Sequence, residues 1–265
     1  IKLLAKFKIH SFELSGGAYV DNLELKLKDL PEKFKLTIHN YFPPPKIPFV
    51  LNLASLDENI YRKSLNHIKN SINLASMLRS PYYSFHAGFL IDPNVKELGR
   101  NISRRRLYDR SKSLERFISS LKGLSQYAAK YNVKLLVENN VITKSNLIKF
   151  ESNPLLMTDI KSTKEIVEQF DNNLFFLCDV AHLKVSAKTL NFDPSLYLET
   201  FKDKIEGYHL SDNDGLCDSN NMVSKNSWFW PYLRKDLSYY TLEVYDQNPM
   251  VLYSQLELAR EMVYG

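Results

Sequence analysis

"FFLCDVAHLKVSA", residues 175 to 187, decides how this chain is read. An apolar run from Leu174 to Cys178 meets Asp179, and His182 follows three positions later. A run this short, rich in aromatic residues, reads as a buried β-strand. A carboxylate at the end of a buried strand is costly unless something neutralises it. One such residue would most simply be a satisfied core group. The pattern recurs, however. "LTIH" ends in His39, "YSFH" in His86, "LLVE" in Glu138, "FFLCD" in Asp179, "GYH" in His209 and "YTLE" in Glu243.

The strands expected from these runs and one more are "KIHSFEL" (8–14), "FKLTIH" (34–39), "YYSFHA" (82–87), "VKLLVEN" (133–139), "NLFFLCD" (173–179), "IEGYHLSD" (205–212) and "YYTLEVY" (239–245). Helical patterns lie between them. Ser55-x-x-Glu58 reads as a capping box, followed by an apolar stripe to about residue 79. A second helix is expected over about 103–131, a third capped by Ser162-x-x-Glu165, a fourth opened by Asp193-Pro194 and a fifth over about 249–263. Strand followed by helix, repeated, predicts a parallel sheet. In a closed barrel the carboxyl ends of the strands converge on one rim, where active sites are built. A dication at that rim would explain six polar strand ends together, because it neutralises carboxylates and accepts imidazole nitrogens. The single domain expected over 1–265 is thus a (β/α)8 barrel. Only seven strands are legible, and "IKLLAKF" at the start reads like the end of a helix. A first strand is therefore expected upstream, with an open seven-stranded sheet as the alternative.

Bulk properties exclude several classes. The 265 residues are 44% hydrophobic and 25% charged, an ordinary globular balance. No apolar run approaches the roughly 20 residues of a membrane span. No secretory leader is legible. Two cysteines, Cys178 and Cys217, make no disulfide framework. A cytoplasmic location is the default expectation. There is no GxGxxG and no P-loop, which argues against a nucleotide-binding sheet. A net charge of +5 is no nucleic-acid signature by itself. The one dense basic cluster, Arg100, Arg104, Arg105, Arg106 and Arg110, reads first as a solvated helix start and second as a phosphate patch.

These residues resemble the xylose-isomerase-like (β/α)8 superfamily. The most specific pieces are Asp179-x-x-His182, "HLSDNDG" (209–215), and the order Glu, Asp, His, Glu on successive strands. The superfamily holds sugar and sugar-phosphate isomerases and epimerases, dehydratases, and endonuclease IV-like enzymes. The resemblance implies one divalent metal (Mn, Zn, Co or Mg) on Glu138, Asp179, His209 and Glu243. It implies that Glu138 and Glu243 also move protons on opposite faces of a small-molecule sugar or sugar phosphate, through an enediolate. His39, His86 and His182 would hold substrate oxygens, and Lys184 could meet a phosphate or carboxylate. Trp228 and Trp230, in "SKNSWFWPYL" (224–233), would form an aromatic wall, with core packing the plain alternative for one of them.

"HNYFPPPKIPFVLNLAS" (39–55) resembles the endonuclease branch instead. That branch implies up to three zinc ions, with His39, His86 and His182 as additional ligands, and abasic DNA as substrate. It also wants Asp-x-His after the His209 strand, where this chain has Asp218-Ser219-Asn220. Asn is a poor zinc ligand. A barrel that has lost activity and only binds a ligand is the non-enzymatic reading. Barrels of this kind often pair, so a homodimer is compatible with all three.

Overall fold

The computed structural model describes residues 1–97, 100–170 and 172–265, with the side chain of Lys2 left out. All seven expected strands are present: β1 (Ser11–Leu14), β2 (Lys35–His39), β3 (Tyr82–His86), β4 (Lys134–Glu138), β5 (Leu174–Asp179), β6 (Ile205–Leu210) and β7 (Tyr240–Leu242). They form one parallel sheet in sequence order, β1 to β7. The sheet curls into a nearly closed barrel. Between β1 and β7 lies a cavity of about 960 Å³, lined by residues of both strands.

Helices alternate with the strands: α1 (Lys2–Ala5), α2 (Leu23–Lys28), α3 (Glu58–Met77), α4 (Arg110–Ala129), α5 (Lys144–Phe150), α6 (Ile160–Val167), α7 (Val180–Leu190), α8 (Pro194–Phe201) and α9 (Pro249–Tyr264). Three expected helix starts move. Asp57, not Ser55, caps α3, its carboxylate accepting from the N–H groups of Asn59 and Ile60. Asp159 caps α6, with Ser162 as the reciprocal partner at the third position. The second helix begins at Arg110 rather than near 103, because the preceding residues are held in an irregular loop. There the N–H of Ser103 donates to Glu97, and Arg105 grips both Glu97 oxygens at 2.6 and 2.7 Å. Helix α7 is buried along most of its length, Val180 to Leu183 and Val185 to Ala187 included.

Alternation along the strands separates two faces. Outward-facing Tyr83, Phe85, Leu135, Val137, Phe176, Cys178 and Tyr208 join the main core under the helices. Inward-facing Tyr82, Leu136, Leu177 and Tyr239 form a separate plug inside the barrel. Tyr82 and Tyr239 stack there with ring centroids 4.9 Å apart. Gly207 makes room for that stack, since a Cβ at this position would lie 2.6 Å from Tyr239 Cδ1. The polar strand ends sit one layer above the plug: His86 pairs with Glu138 in register, and Asp179 with His209.

Candidate metal centre

Glu138 is the hub of this layer. It ends β4 with its side chain fully buried. His39 Nε2 and His86 Nδ1 each lie 3.3 Å from its Oε2. His209 Nδ1 and His182 Nδ1 lie 3.3 and 3.5 Å from its Oε1. Glu243 Oε2 approaches the same His209 nitrogen at 3.1 Å, and Asp179 Oδ2 at 3.9 Å. Ligand atoms of Glu138, Asp179, His209 and Glu243 all fall within 4.8 Å of one another. Two further groups meet the same limit: His39, His86 and Glu138, and Glu13, His39 and His209.

Among the described residues, both oxygens of Glu138, Oδ2 of Asp179 and Nδ1 of His209 are buried without a hydrogen-bond partner. Orphaned polar atoms are rare in folded proteins and call for an explanation. Here they converge on one point, and their mix of carboxylate oxygen and imidazole nitrogen suits a divalent cation. The residues fit a metal ion.

The charges without a metal are in conflict. Burial raises the Asp179 carboxyl to about 8, opposed by His182 and reinforced by Glu243 and Glu138. Burial also pushes Glu138 upward, but His86, His209 and His39 together hold it well below the usual carboxylate range. Burial drags His86 down to about 4. Burial acts the same way on His209, yet Glu13 and Glu138 lift it well above the ordinary imidazole value. Glu13 itself is held at about 2, burial being outweighed by His209, His39 and the Tyr239 hydroxyl.

The other expected site residues are placed as follows. His182 N–H donates to Asp179 Oδ1 at 2.7 Å, which also caps α7. Its ring lies between the carbonyl of Asn139 at 2.9 Å and Asp218 Oδ2 at 3.2 Å. Asn220, two residues after Asp218, is buried, with its side-chain oxygen unpartnered among the described residues. Lys184 is taken up by Asp212 at 2.6 Å and by the carbonyl of Asn213. Trp230 is buried in the hydrophobic core and donates its indole N–H to the carbonyl of Ser224 at 2.7 Å. Trp228 packs partly buried against Phe229 and Tyr232. Of the basic cluster, Arg104, Arg105 and Arg110 pair with Glu151, Glu97 and Glu165. That pairing favours the solvated-surface reading.

Sequence reasoning passed over Glu13. The signal was present: Glu13 lies between Phe12 and Leu14 in the first strand. It is not the last residue of its strand, and nothing local distinguishes it from a solvent-facing position.

Comparison with known proteins follows the same lines. A fructoselysine 3-epimerase of Shigella flexneri is 24% identical over 216 residues, 80% of this chain and 67% of that protein. An uncharacterised protein of Methanocaldococcus jannaschii is 25% identical over 187 residues, 71% of this chain, and the match spans only 62% of its own length. Among solved structures, a D-tagatose 3-epimerase-like protein superposes with a TM-score of 0.72 at 19% identity, covering 99% of this chain and 91% of its own. A Thermus thermophilus protein soaked with zinc chloride gives 0.66 at 22% identity, covering 98% and 93%. At these identities the structures speak for the fold. The family model described as "xylose isomerase-like TIM barrel" matches residues 1–237, and the chain belongs to that family.

Proposed function

We propose that the protein is a divalent-metal-dependent isomerase or epimerase acting on a small sugar or sugar phosphate. The observation that carries this reading is the approach of Glu138 and Glu243 to one imidazole, 3.3 and 3.1 Å from His209 Nδ1. With Asp179 they supply a seat for a dication and two groups able to carry protons. A bound dication would polarise neighbouring carbonyl and hydroxyl oxygens of the substrate and so acidify the C–H between them. Glu243, whose side chain is 24% exposed, removes the proton α to the carbonyl from the open side. Glu138 is the inner partner: it enters the step protonated and gives that proton to the opposite face, and the proton taken by Glu243 passes to solvent on the open side. His86, also about a quarter exposed, and His182 orient substrate oxygens. Because Lys184 is already paired with Asp212, an unphosphorylated sugar fits the site better. The likeness to a fructoselysine 3-epimerase supports the same substrate class.

The test is solvent deuterium wash-in at the carbon α to the carbonyl, across ketoses and their phosphates. Glu138→Gln and Glu243→Gln should each abolish exchange while the protein stays folded. Retained turnover in both variants would sink the two-base mechanism.

One observation favours a second reading. Glu138 presents one oxygen to His209 and the other to His39 and His86, so it could bridge two cations. That arrangement suits an endonuclease IV-like zinc phosphodiesterase acting on abasic DNA. Asn220, where that branch wants the histidine of Asp-x-His, weighs against it. Zinc-supplied protein that cleaves an abasic duplex, with activity falling steeply as salt rises, would decide for this alternative.

A further inference from the structure

Glu13 stands on the far side of His209 from Glu138 and Glu243, although its carboxylate also falls within 4.8 Å of His39 and His209 ligand atoms. Its carboxylate lies 3.0 Å from His209 Nε2, the ring nitrogen turned away from Glu138 and Glu243. The same carboxylate accepts from the Tyr239 hydroxyl and, at 3.0 Å, from the Thr241 hydroxyl. Tyr239 Oη in turn meets Ser84 Oγ at 3.2 Å, and Ser84 Oγ meets His39 Nδ1 at 2.9 Å. One chain of hydrogen bonds therefore runs from His209 through Glu13, Tyr239 and Ser84 to His39. It reaches both imidazoles from the side opposite the cluster.

We infer that Glu13 is a positioning residue for the metal centre, setting the tautomers of His209 and, through Tyr239 and Ser84, of His39. The inference rests on the reading of the centre as a metal site. An ionised carboxylate can only accept. His209 must then donate from Nε2, so that Nδ1 is the nitrogen that sheds its proton and turns bare toward Glu138, Asp179 and Glu243 when a cation binds. Tyr239 must spend its one proton on Glu13, so its oxygen accepts from Ser84. Ser84 has then spent its own proton, and its oxygen accepts from His39 Nδ1–H. His39 Nε2 is left bare, 3.3 Å from Glu138. A ligating histidine held from behind in this way keeps its ring orientation and basicity. Gln at position 13 could donate as well as accept, and the order of the chain would be lost.

The plain alternative is that Glu13 only staples β1 to β7 across the cavity between them, through Tyr239 and Thr241. Zinc affinity, measured by competition with a chromogenic chelator on the full chain, separates the two. Glu13→Gln should weaken zinc binding by about 10- to 100-fold. Thr241→Val removes a staple bond while the contact of Glu13 with His209 remains, and should lower the thermal midpoint while leaving zinc affinity unchanged. Wild-type affinity in Glu13→Gln overturns the inference. So does an equal loss of affinity in both variants. If wild-type protein binds no zinc, or if Asp179→Asn leaves zinc in place, the metal reading falls and takes this inference with it. Zinc that is lost in Asp179→Asn but kept in Glu13→Gln overturns the role of Glu13 alone. Should Glu13→Gln not fold, Tyr239→Phe keeps the stack on Tyr82 and removes the hydroxyl's bonds to Glu13 and Ser84, while the contact of Glu13 with His209 remains. Nitrogen-15 histidine spectra should then show His39 losing its single Nδ1–H tautomer while His209 keeps its own, and an unchanged His39 overturns the relay.

Discussion

Asp179→Asn should make the metal-free protein more stable while abolishing its metal binding. Asp179 is fully buried, and its Oδ2 has no hydrogen-bond partner among the described residues. Folding raises its carboxyl from an ordinary 3.8 to about 8. A carboxyl raised in this way costs nothing below its unfolded value. The cost grows as pH climbs from about 4 and levels off near 8. At pH 7 some three units are in play, or about 4 kcal/mol at 1.36 kcal/mol per unit. Part of that gain is returned because His182 loses the Asp179 charge, although Asp218 at 3.2 Å still faces its ring. The net expectation is about 2–4 kcal/mol, or roughly 5–10 °C for a chain of this size. Asn can still accept the His182 N–H bond through Oδ1, so the α7 cap survives. The assay is urea unfolding of chelator-treated wild type and variant at pH 5, 6, 7 and 8. The gap between them should widen with pH. A constant gap, or a more stable wild type at pH 8, would refute the electrostatic reasoning.

Three further outcomes are expected. His67 is buried against Tyr41 and Phe49, and burial lowers its imidazole to about 4. Stability from its neutral form is intact above 6.5 and is lost as pH falls toward 4, because the unfolded chain takes up the proton first. Acid titration of the unfolding free energy should show a loss of about 3 kcal/mol over that window, absent in His67→Phe. Gly207→Ala would press a methyl group into the Tyr239 ring and its carbonyl, costing about 1–3 kcal/mol by thermal or urea unfolding. Supplying zinc to chelated wild type should raise its thermal midpoint in proportion to the logarithm of free zinc, and should leave Asp179→Asn unmoved.

What could be read from the sequence was local. Seven short runs became seven strands, and in β3 to β6 burial on both faces of the parallel sheet leaves a contiguous signature. Six polar strand ends were legible for the same reason, and His39, His86, Glu138, Asp179, His209 and Glu243 do meet in one layer. Helix starts were less legible. Ser55 and Ser162 have the right chemistry for caps, but so do Asp57 and Asp159, and loop geometry chose between them. The fates of Lys184 and Trp230 depended on Asp212 and on the carbonyl of Ser224, which sequence patterns do not bring near. Glu13 is the clearest case. It lies 196 residues from His209 and 226 from Tyr239 along the chain, and only the curl of the sheet sets β1 beside β6 and β7. Residue types and their period determined the strands and the chemistry at their ends. Closure of the barrel decided which of those groups touch, because contacts between the first strand and the last ones exist only in three dimensions.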